Sequence, residues 1–122
     1  MSTSRQPPRP GRPARGSVTG RPIMALLDLL GRRWALRILW ELRRDAAPTF
    51  RALQAQCDGV SSSVLTARLG ELTEAGIVTR TDVGYALTPE GKALVRSLET
   101  MNTWALQWAD RLAQQSGSTG KR

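Results

Sequence analysis

The chain has 122 residues, 40% of them apolar, and a formal net charge of +8. This length allows one domain with a single modest core plus tails, and the charge favours polyanionic partners. There is one cysteine and no histidine, which excludes a disulfide framework, a Cys/His zinc site and histidine-based catalysis. We therefore expect neither an enzyme nor a bound metal or cofactor.

The sequence contains no candidate membrane segment. No stretch approaches the roughly 20 continuous apolar residues of a membrane span, and the first residues lack the apolar core of a signal peptide. We therefore expect a cytoplasmic protein without membrane contact.

Residues 1–21 form a separate segment in which prolines alternate with arginines and no acidic residue occurs. This composition cannot bury a core, so we expect a disordered basic tail. It holds five of the eighteen basic residues, and the remaining thirteen face ten acidic ones, a net charge of +3. The arm could lie along DNA phosphates or enter a minor groove, or it could be a solubilising leader without a defined contact.

Two helices are predicted after the tail. The first ends at Gly31, and the second runs from about Arg32 to Arg44, with Arg32 and Arg33 placed where they could contact phosphate. The first carries a stripe of Ile23, Leu26, Leu27 and Leu30. The second is apolar on two sides, which predicts a helix packed between neighbours. One side holds Trp34, Ala35, Ile38, Leu39 and Leu42, and the other holds Leu36 and Trp40.

The segment from Thr49 to Leu87 has the pattern of a helix-turn-helix followed by a hairpin. Thr49 can cap a short helix, and Asp58-Gly59 supplies the turn after it. Residues 61–63, SSS, open a second helix whose leucines recur at i, i+4 and i+7, so one face belongs to the core. The opposite face is small and polar, which suits a helix that enters the major groove of DNA. A solvated helix in any small α+β domain would show the same leucine stripe and polar outer face. The interpretation as a DNA-reading helix therefore depends on the order of the elements and on the positive charge of the chain.

The second helix is predicted to end at Gly76 in a left-handed cap. The β-branched, basic run 77–81, a turn at Val83-Gly84 and the run 85–87 then predict a hairpin. The expected fold is mainly α with a small antiparallel β wing (α+β), a winged helix-turn-helix.

A long last helix is predicted from Pro89, capped by Thr88, to about Gln115. At 1.5 Å per residue it would span roughly 40 Å, more than a small domain needs to cover its own core. Its apolar residues follow the 4-3-4-3-4 spacing of a helix-pairing seam, part of which we expect to pack back on its own domain. The seam comprises Leu94, Leu98, Met101, Ala105, Trp108 and Leu112, with Trp104 at its flank.

We expect this seam to form a homodimer together with the first helix, because exposed aromatic residues often anchor interfaces. The domain would cover residues 22–115, and residues 116–122 would be a flexible tail. The expected dimer interface comprises Ile23, Leu26, Leu27, Leu98, Met101, Trp104, Ala105, Trp108 and Leu112.

Two segments resemble the HxlR-type transcription regulators of bacteria. Residues 27–42, LDLLGRRWALRILWEL, look like the opening of that family's domain. Residues 60–69, VSSSVLTARL, followed by 71–72, EL, and 75–78, AGIV, are similar to its recognition helix and the exit into the wing. Residues 87–91, LTPEG, also fit, although MarR-type winged helices share them. The resemblance covers about residues 22–112.

The resemblance implies a homodimeric regulator that binds a double-stranded DNA operator, is nucleoid-associated when so bound, and represses or activates nearby genes, often in response to a small molecule or an oxidant. Two-fold symmetry makes the expected operator a near-palindrome. Because Arg68 flanks the leucine stripe, a phosphate contact or an internal ion pair is favoured there over base reading. Carried over by position, the expected DNA contacts are Ser61, Ser62, Ser63, Thr66, Ala67, Arg68, Thr79, Arg80 and Thr81.

The chain departs from the family pattern in three places. Ala67 and Gly70 stand where longer polar or basic side chains are usual. We therefore expect recognition to depend less on base contacts and more on DNA shape. The wing turn, residues 82–84, is short. Redox-responsive members carry a cysteine just before the first helix, where this chain has residues 21–23, RPI, and Cys57 is predicted to be a buried, inert thiol.

Two other functions stay open at this point. A winged helix can serve protein contact instead of DNA reading, because fold does not fix function. A small-molecule carrier or enzyme would need a pocket between the tryptophan-bearing helices, although aromatic stripes are more often core than pocket. Such a pocket would be lined by Trp34, Trp40, Met101 and Trp104.

Overall fold

The computed structural model describes Pro10 and residues 20–120, with side chains up to residue 117. The tail predicted over 1–21 lies almost wholly outside this range. The elements in chain order are α1 (Pro22–Leu30), α2 (Ala35–Leu42), α3 (Phe50–Cys57), α4 (Ser62–Glu74), β1 (Val78–Arg80), β2 (Tyr85–Leu87) and α5 (Pro89–Gly120). The strands pair antiparallel with Thr79 opposite Ala86. The predicted class, mainly helical with a small β wing and a long last helix, is confirmed.

The core lies where α2, α3 and α4 meet, closed on one side by the hairpin and the first turns of α5. Each helix contributes the apolar face that its sequence period predicts. Side chains with almost no exposed surface include Ile38, Leu39, Leu53, Cys57, Leu65, Leu72 and Val78.

Hydroxyl caps fix the starts of three helices. The Thr49 Oγ1 accepts a hydrogen bond from the Ala52 amide at 3.2 Å, and the Ser61 Oγ accepts one from the Val64 amide at 3.2 Å. Thr88 does the same for the Gly91 amide at 3.0 Å. Each bond satisfies an amide that has no partner within its helix, typically worth ~1 kcal/mol.

Gly76 ends α4 in the predicted left-handed conformation, with φ of 79°. The Ile77 amide donates to the Leu72 carbonyl and the Gly76 amide to the Thr73 carbonyl, both at 3.0 Å. This pair of bonds is the Schellman arrangement, in which a residue without Cβ turns the chain out of the helix. The chain therefore enters the wing directly from the C-terminus of α4.

The predicted start of α2 at Arg32 is wrong by three residues. Residues 31–34 form a turn, in which the Ala35 amide donates to the Arg32 carbonyl at 3.0 Å and Trp34 is left-handed with φ of 75°. A Cβ placed on Gly59 would lie 3.8 Å from the Cη2 of Trp34. The indole therefore packs on the turn between α3 and α4, and this tertiary contact overrides the helical period.

Two predicted apolar faces are not buried in the single chain. α1 buries Ala25, Leu29 and Leu30, whereas Ile23 and Leu27 of the predicted stripe are 55% and 50% exposed. α2 is covered on one side only, because Leu36 on its second side is 47% exposed. The prediction that α2 is packed between neighbours is therefore not met within one chain.

α5 extends further than expected. It continues through Gly120, five residues past the predicted end at Gln115, because adding a residue to an existing helix costs far less than starting one. Charged side chains recur along it, and none of the helices in the described range is long and apolar enough to cross a membrane.

Candidate nucleic-acid interface

The outer face of α4 is exposed and made of small side chains. Ser63, Thr66, Ala67 and Gly70 all lie on it, opposite the buried leucines. A Cβ placed on Gly70 would have no atom within 4 Å. The predicted reading helix therefore presents a shallow surface that can approach another molecule closely.

The serines at the start of α4 are partly engaged within the chain. The Ser61 Oγ caps the helix and lies 3.3 Å from the Ser63 Oγ, and Gln54 Nε2 donates to the Ser62 Oγ at 3.1 Å. The Thr66 hydroxyl, by contrast, has no hydrogen-bond partner within residues 20–120. Thr66 is thus the best-placed hydroxyl for an external partner.

Arg68 does not point outward with the other predicted contacts. Its Nε donates to the Arg33 carbonyl at 2.7 Å, and its Nη1 lies 3.2 Å from both carboxylate oxygens of Glu71. Of the two roles considered for Arg68, the structure shows the internal ion pair. The backbone carbonyl of Arg33 is held next to α4 by the same contact, while the Arg33 side chain is exposed.

The wing presents two of its three predicted residues. Thr79 and Arg80 are exposed on β1, and the Arg80 guanidinium lies 5.5 Å from the centre of the Tyr85 ring. Thr81 is used by the turn instead: its Oγ1 accepts from the Val83 and Gly84 amides and donates to the Gly84 carbonyl. Its amide also donates to the Gly84 carbonyl, at 2.7 Å, so both its hydroxyl and its amide are occupied by the turn.

The wing is held against the loop before α3, a feature that the sequence analysis did not predict. The Tyr85 amide donates to the Pro48 carbonyl at 2.8 Å. A Cβ on Gly84 would collide with the backbone carbonyls of Ala47 and Pro48, so only glycine fits there. The one sequence signal is the glycine itself, because a glycine inside a hairpin often marks a close backbone approach.

An apolar surface that includes part of the predicted seam runs along α5. Leu94 and Leu98 pack partly on the core, and Ala105 is half-buried. Beyond them the side chains are exposed, and the Trp104 and Trp108 rings stack with centroids 5.7 Å apart. The exposed fractions are 63% for Met101, 57% for Trp104, 48% for Trp108 and 46% for Leu112.

Where α5 leaves the core it forms a groove with α2. The groove has a volume of about 420 Å³ and is lined by Leu36, Arg37, Trp40, Leu98, Met101, Asn102 and Ala105. Of the four residues predicted to line a pocket, Trp40 and Met101 line this groove. Trp34 packs at Gly59 and Trp104 stacks on Trp108. Leu36 was predicted to be covered but lines the open groove.

Cys57 is buried at the C-terminus of α3. Burial raises the pKa of its thiol above the ordinary value of 9.0, an effect that Arg37 opposes and Glu41 reinforces. A protonated, inaccessible thiol is a poor nucleophile.

The model of the HxlR-like helix-turn-helix family matches residues 29–113, which include α2, α3, α4, the wing and most of α5. The chain belongs to this family.

Relatives by sequence are regulators of the same kind. The HTH-type transcriptional regulator YvaP of Bacillus subtilis (strain 168) is 33% identical over 91 residues, which cover 69% of this chain and 83% of that protein. The regulator sll1512 of Synechocystis sp. is 31% identical over 97 residues, 74% of this chain and 71% of that protein. This HxlR-like chain is a transcriptional regulator whose helix-turn-helix implies DNA binding.

Solved structures support the same assignment. The quinone-bound YodB from B. subtilis matches with a TM-score of 0.65 at 34% identity, covering 70% of this chain and 96% of that one. A transcriptional regulator of the MarR family from Enterococcus faecalis V583 matches with a TM-score of 0.69 at 31% identity, covering 75% of this chain and 89% of that one. The HxlR-like chain thus shares its winged-helix architecture with both.

Proposed function

We propose that this regulator acts as a homodimer that binds a near-palindromic double-stranded operator. The observation that carries the proposal is the apolar surface of α5, which one chain leaves uncovered. Soluble monomers rarely expose a contiguous apolar patch of this kind. Each Leu or Met side chain that is fully buried gains on the order of 1.5–3 kcal/mol. The surface therefore strongly favours a partner.

A second copy of the chain is the occupant that we propose for this surface. The exposed face of α1, with Ile23 and Leu27, is apolar like the surface of α5. The groove between α2 and α5 is continuous with the α5 surface. A two-fold interface uses the same patch on both protomers, so a self-complementary apolar surface is sufficient. The expected interface residues Leu26 and Leu98 lie at its inner edge, partly packed on the core.

DNA contact is proposed through the outer face of α4 and the first strand of the wing. A dimer would present two α4 helices about one DNA turn, ~34 Å, apart, which calls for two half-sites in opposite orientation. Thr66 and serines 61–63 would contact bases or phosphates. The exposed Arg33 and Arg80 would contact phosphates. Because Ala67 and Gly70 at the centre of the face are too short to reach far into the groove, DNA shape and contacts to the DNA backbone would contribute more to recognition than base contacts.

No thiol switch is part of the proposal. Cys57 is the one cysteine of the chain, and its sulfur is buried. An effector, such as the quinone bound by YodB, would have to act on this chain without attack by an accessible thiolate.

The dimer is tested with two aspartate substitutions on α5. Trp108→Asp places a charge in the proposed interface, whereas Leu106→Asp places one on another side of the helix at a residue that is 64% exposed. Because both positions are exposed in the single chain, neither substitution should unfold it. Sedimentation velocity should give a monomer for Trp108→Asp and a dimer for Leu106→Asp. A Trp108→Asp protein that remains fully dimeric would refute the interface.

Operator binding is tested by selection of duplexes from a random pool at two salt concentrations. The wild type and Leu106→Asp should enrich one near-palindrome, with an affinity that falls steeply as salt rises. Trp108→Asp should bind that duplex roughly tenfold more weakly or worse, because each half-site is then bound separately. If the wild type enriches no sequence, the proposal is wrong and the alternative of a winged helix used for protein contact is favoured.

A further inference from the structure

Glu71 is a buried carboxylate on the reading helix. It is 8% exposed and lies on α4 beside the leucine stripe, the one charged side chain among the buried residues of the described range. A charge so placed is costly unless it is paired and hydrogen-bonded. Its partners therefore indicate what it is there to hold.

Two arginines from different parts of the chain pair with this carboxylate. Arg32, in the turn between α1 and α2, places Nη1 2.9 Å from Oε2, and Arg68, one turn earlier on α4, places Nη1 3.2 Å from both oxygens. Arg68 also donates from Nε to the Arg33 carbonyl at 2.7 Å. α4 is thus bound to the turn through a side chain and through the backbone. We call Arg32, Arg68, Glu71 and the Arg33 carbonyl the Glu71 clamp.

The turn is in direct continuity with α1. The Gly31 amide donates to the Leu27 carbonyl at 2.9 Å, and the Arg32 amide to the Leu29 carbonyl at 3.3 Å. Leu27 belongs to the exposed face of α1 that we propose as dimer interface. The Glu71 clamp therefore connects that face to the reading helix by directional polar bonds, which fix an angle more closely than apolar packing does.

We propose that Glu71 is a positioning residue for operator recognition. Through the Glu71 clamp it sets the orientation of α4 relative to α1, and hence the separation of the two reading helices in the dimer. It touches no DNA itself, since a carboxylate is repelled by phosphate. This inference rests on the proposed dimeric operator binding and names the residues that give that dimer its half-site spacing.

The test compares Glu71→Gln with Glu74→Gln. Both remove one negative charge from α4, but Glu74 is exposed and lies outside the clamp. Each full-length variant is titrated with the selected operator, with operators whose half-sites are one base pair closer or farther apart, and with an unrelated duplex.

Glu71→Gln should remain dimeric and bind the selected operator roughly tenfold more weakly while its preference among the spacings flattens. Its binding to the unrelated duplex should equal that of Glu74→Gln, because phosphate attraction depends on net charge. Glu74→Gln should keep the wild-type spacing preference. A Glu71→Gln dimer with the wild-type preference would overturn the proposal.

Arg68→Lys is the second variant, for use if Glu71→Gln fails to fold. It keeps the positive charge but replaces the two separate donor nitrogens, Nε to the Arg33 carbonyl and Nη1 to Glu71, by a single one. It should flatten the spacing preference to a smaller extent, and an unchanged preference in folded Arg68→Lys refutes the clamp.

Hydrogen exchange on the DNA-free proteins separates the clamp from the proposed function. Exchange over residues 31–34 and 62–74 should rise in Glu71→Gln relative to Glu74→Gln, and unchanged exchange would overturn the clamp even if the wild type enriches no operator.

Discussion

Cys57 illustrates how burial decides the chemistry of a single residue. Its sulfur lies in the core, and burial raises the pKa of the thiol above 9.0. Above that pH the unfolded chain ionises its thiol while the folded chain keeps the proton. The fold therefore retains its full stability below pH 9.0 and loses part of it as pH rises toward the folded-state pKa.

We predict that the free energy of unfolding of the wild type falls above pH 9.0 relative to its value at neutral pH. Cys57→Ala should be less stable at neutral pH because it leaves a small cavity, but it should lack this component of the pH dependence. Urea titrations of both proteins at each pH measure the difference. Parallel pH profiles would contradict the prediction.

Residues whose chemistry is local could be predicted from the sequence. Thr49 and Thr88 cap their helices as expected, because a cap needs only its own side chain and amides up to three residues away. The left-handed Trp34 and the pairing of Glu71 with Arg32 could not be predicted. They depend on contacts with residues 25 and 39 positions away, which only the folded chain brings together.

At the scale of elements, α4 combines a buried leucine stripe with an outer face that includes a glycine. Glycine in a helix interior costs about 0.5–1 kcal/mol relative to alanine because it loses more backbone freedom on folding. Gly70 has no neighbour that a methyl group would touch. The helix therefore keeps a residue that weakens it, at the centre of the proposed DNA-facing surface.

Gly70→Ala should raise the free energy of unfolding by about 0.5–1 kcal/mol. Gly91→Ala, in the first turn of α5, is the matched control and should lower it, because a Cβ there would collide with the Ile77 carbonyl. Both values come from denaturant titrations. A destabilised Gly70→Ala protein would show that the added methyl group clashes with a neighbouring part of the chain.

Gly70→Ala also tests the role of the outer face. If α4 lies in the major groove with its backbone close to the DNA, the more stable variant should bind the operator more weakly than the wild type. Equal or tighter binding would place the closest approach elsewhere on α4.

The elements differ in how well their exposure could be predicted. Periodicity identified α1, α2 and α5 as apolar, but a stripe does not say which molecule covers it. Ile23 and Leu27 were predicted to lie in a dimer interface and Leu36 to lie between neighbouring helices, and all three side chains are exposed in the single chain. The outer face of α4 was predicted correctly, because its buried face is fixed by a local leucine period.

For the whole molecule, the balance of charge differs between the domain and the N-terminal segment. Residues 1–21 contribute five positive charges and no negative one, so the rest of the chain has a net charge of +3. Much of the long-range attraction toward a polyanion therefore originates in this segment.

Deletion of residues 1–21 should weaken operator binding and make its dependence on salt less steep, by about 0.9 in log–log slope for each DNA phosphate that the shortened chain no longer neutralises. A full-length variant with the five arginines replaced by glutamine controls for length and should behave like the deletion. Filter binding across a salt series measures both slopes. Unchanged slopes would identify the segment as a solubilising leader.

The contact between the wing and the loop before α3 bears on the thermodynamics of DNA binding. Gly84 fits against Pro48, and the Tyr85 amide is bonded to the same residue, so the hairpin is fixed to the loop before α3. A flexible wing would lose conformational entropy on docking, typically about 1–2 kcal/mol per ordered residue. In a wing whose backbone is already ordered, a contact at Arg80 would have to offset the ordering of that one side chain but not the ordering of the hairpin backbone.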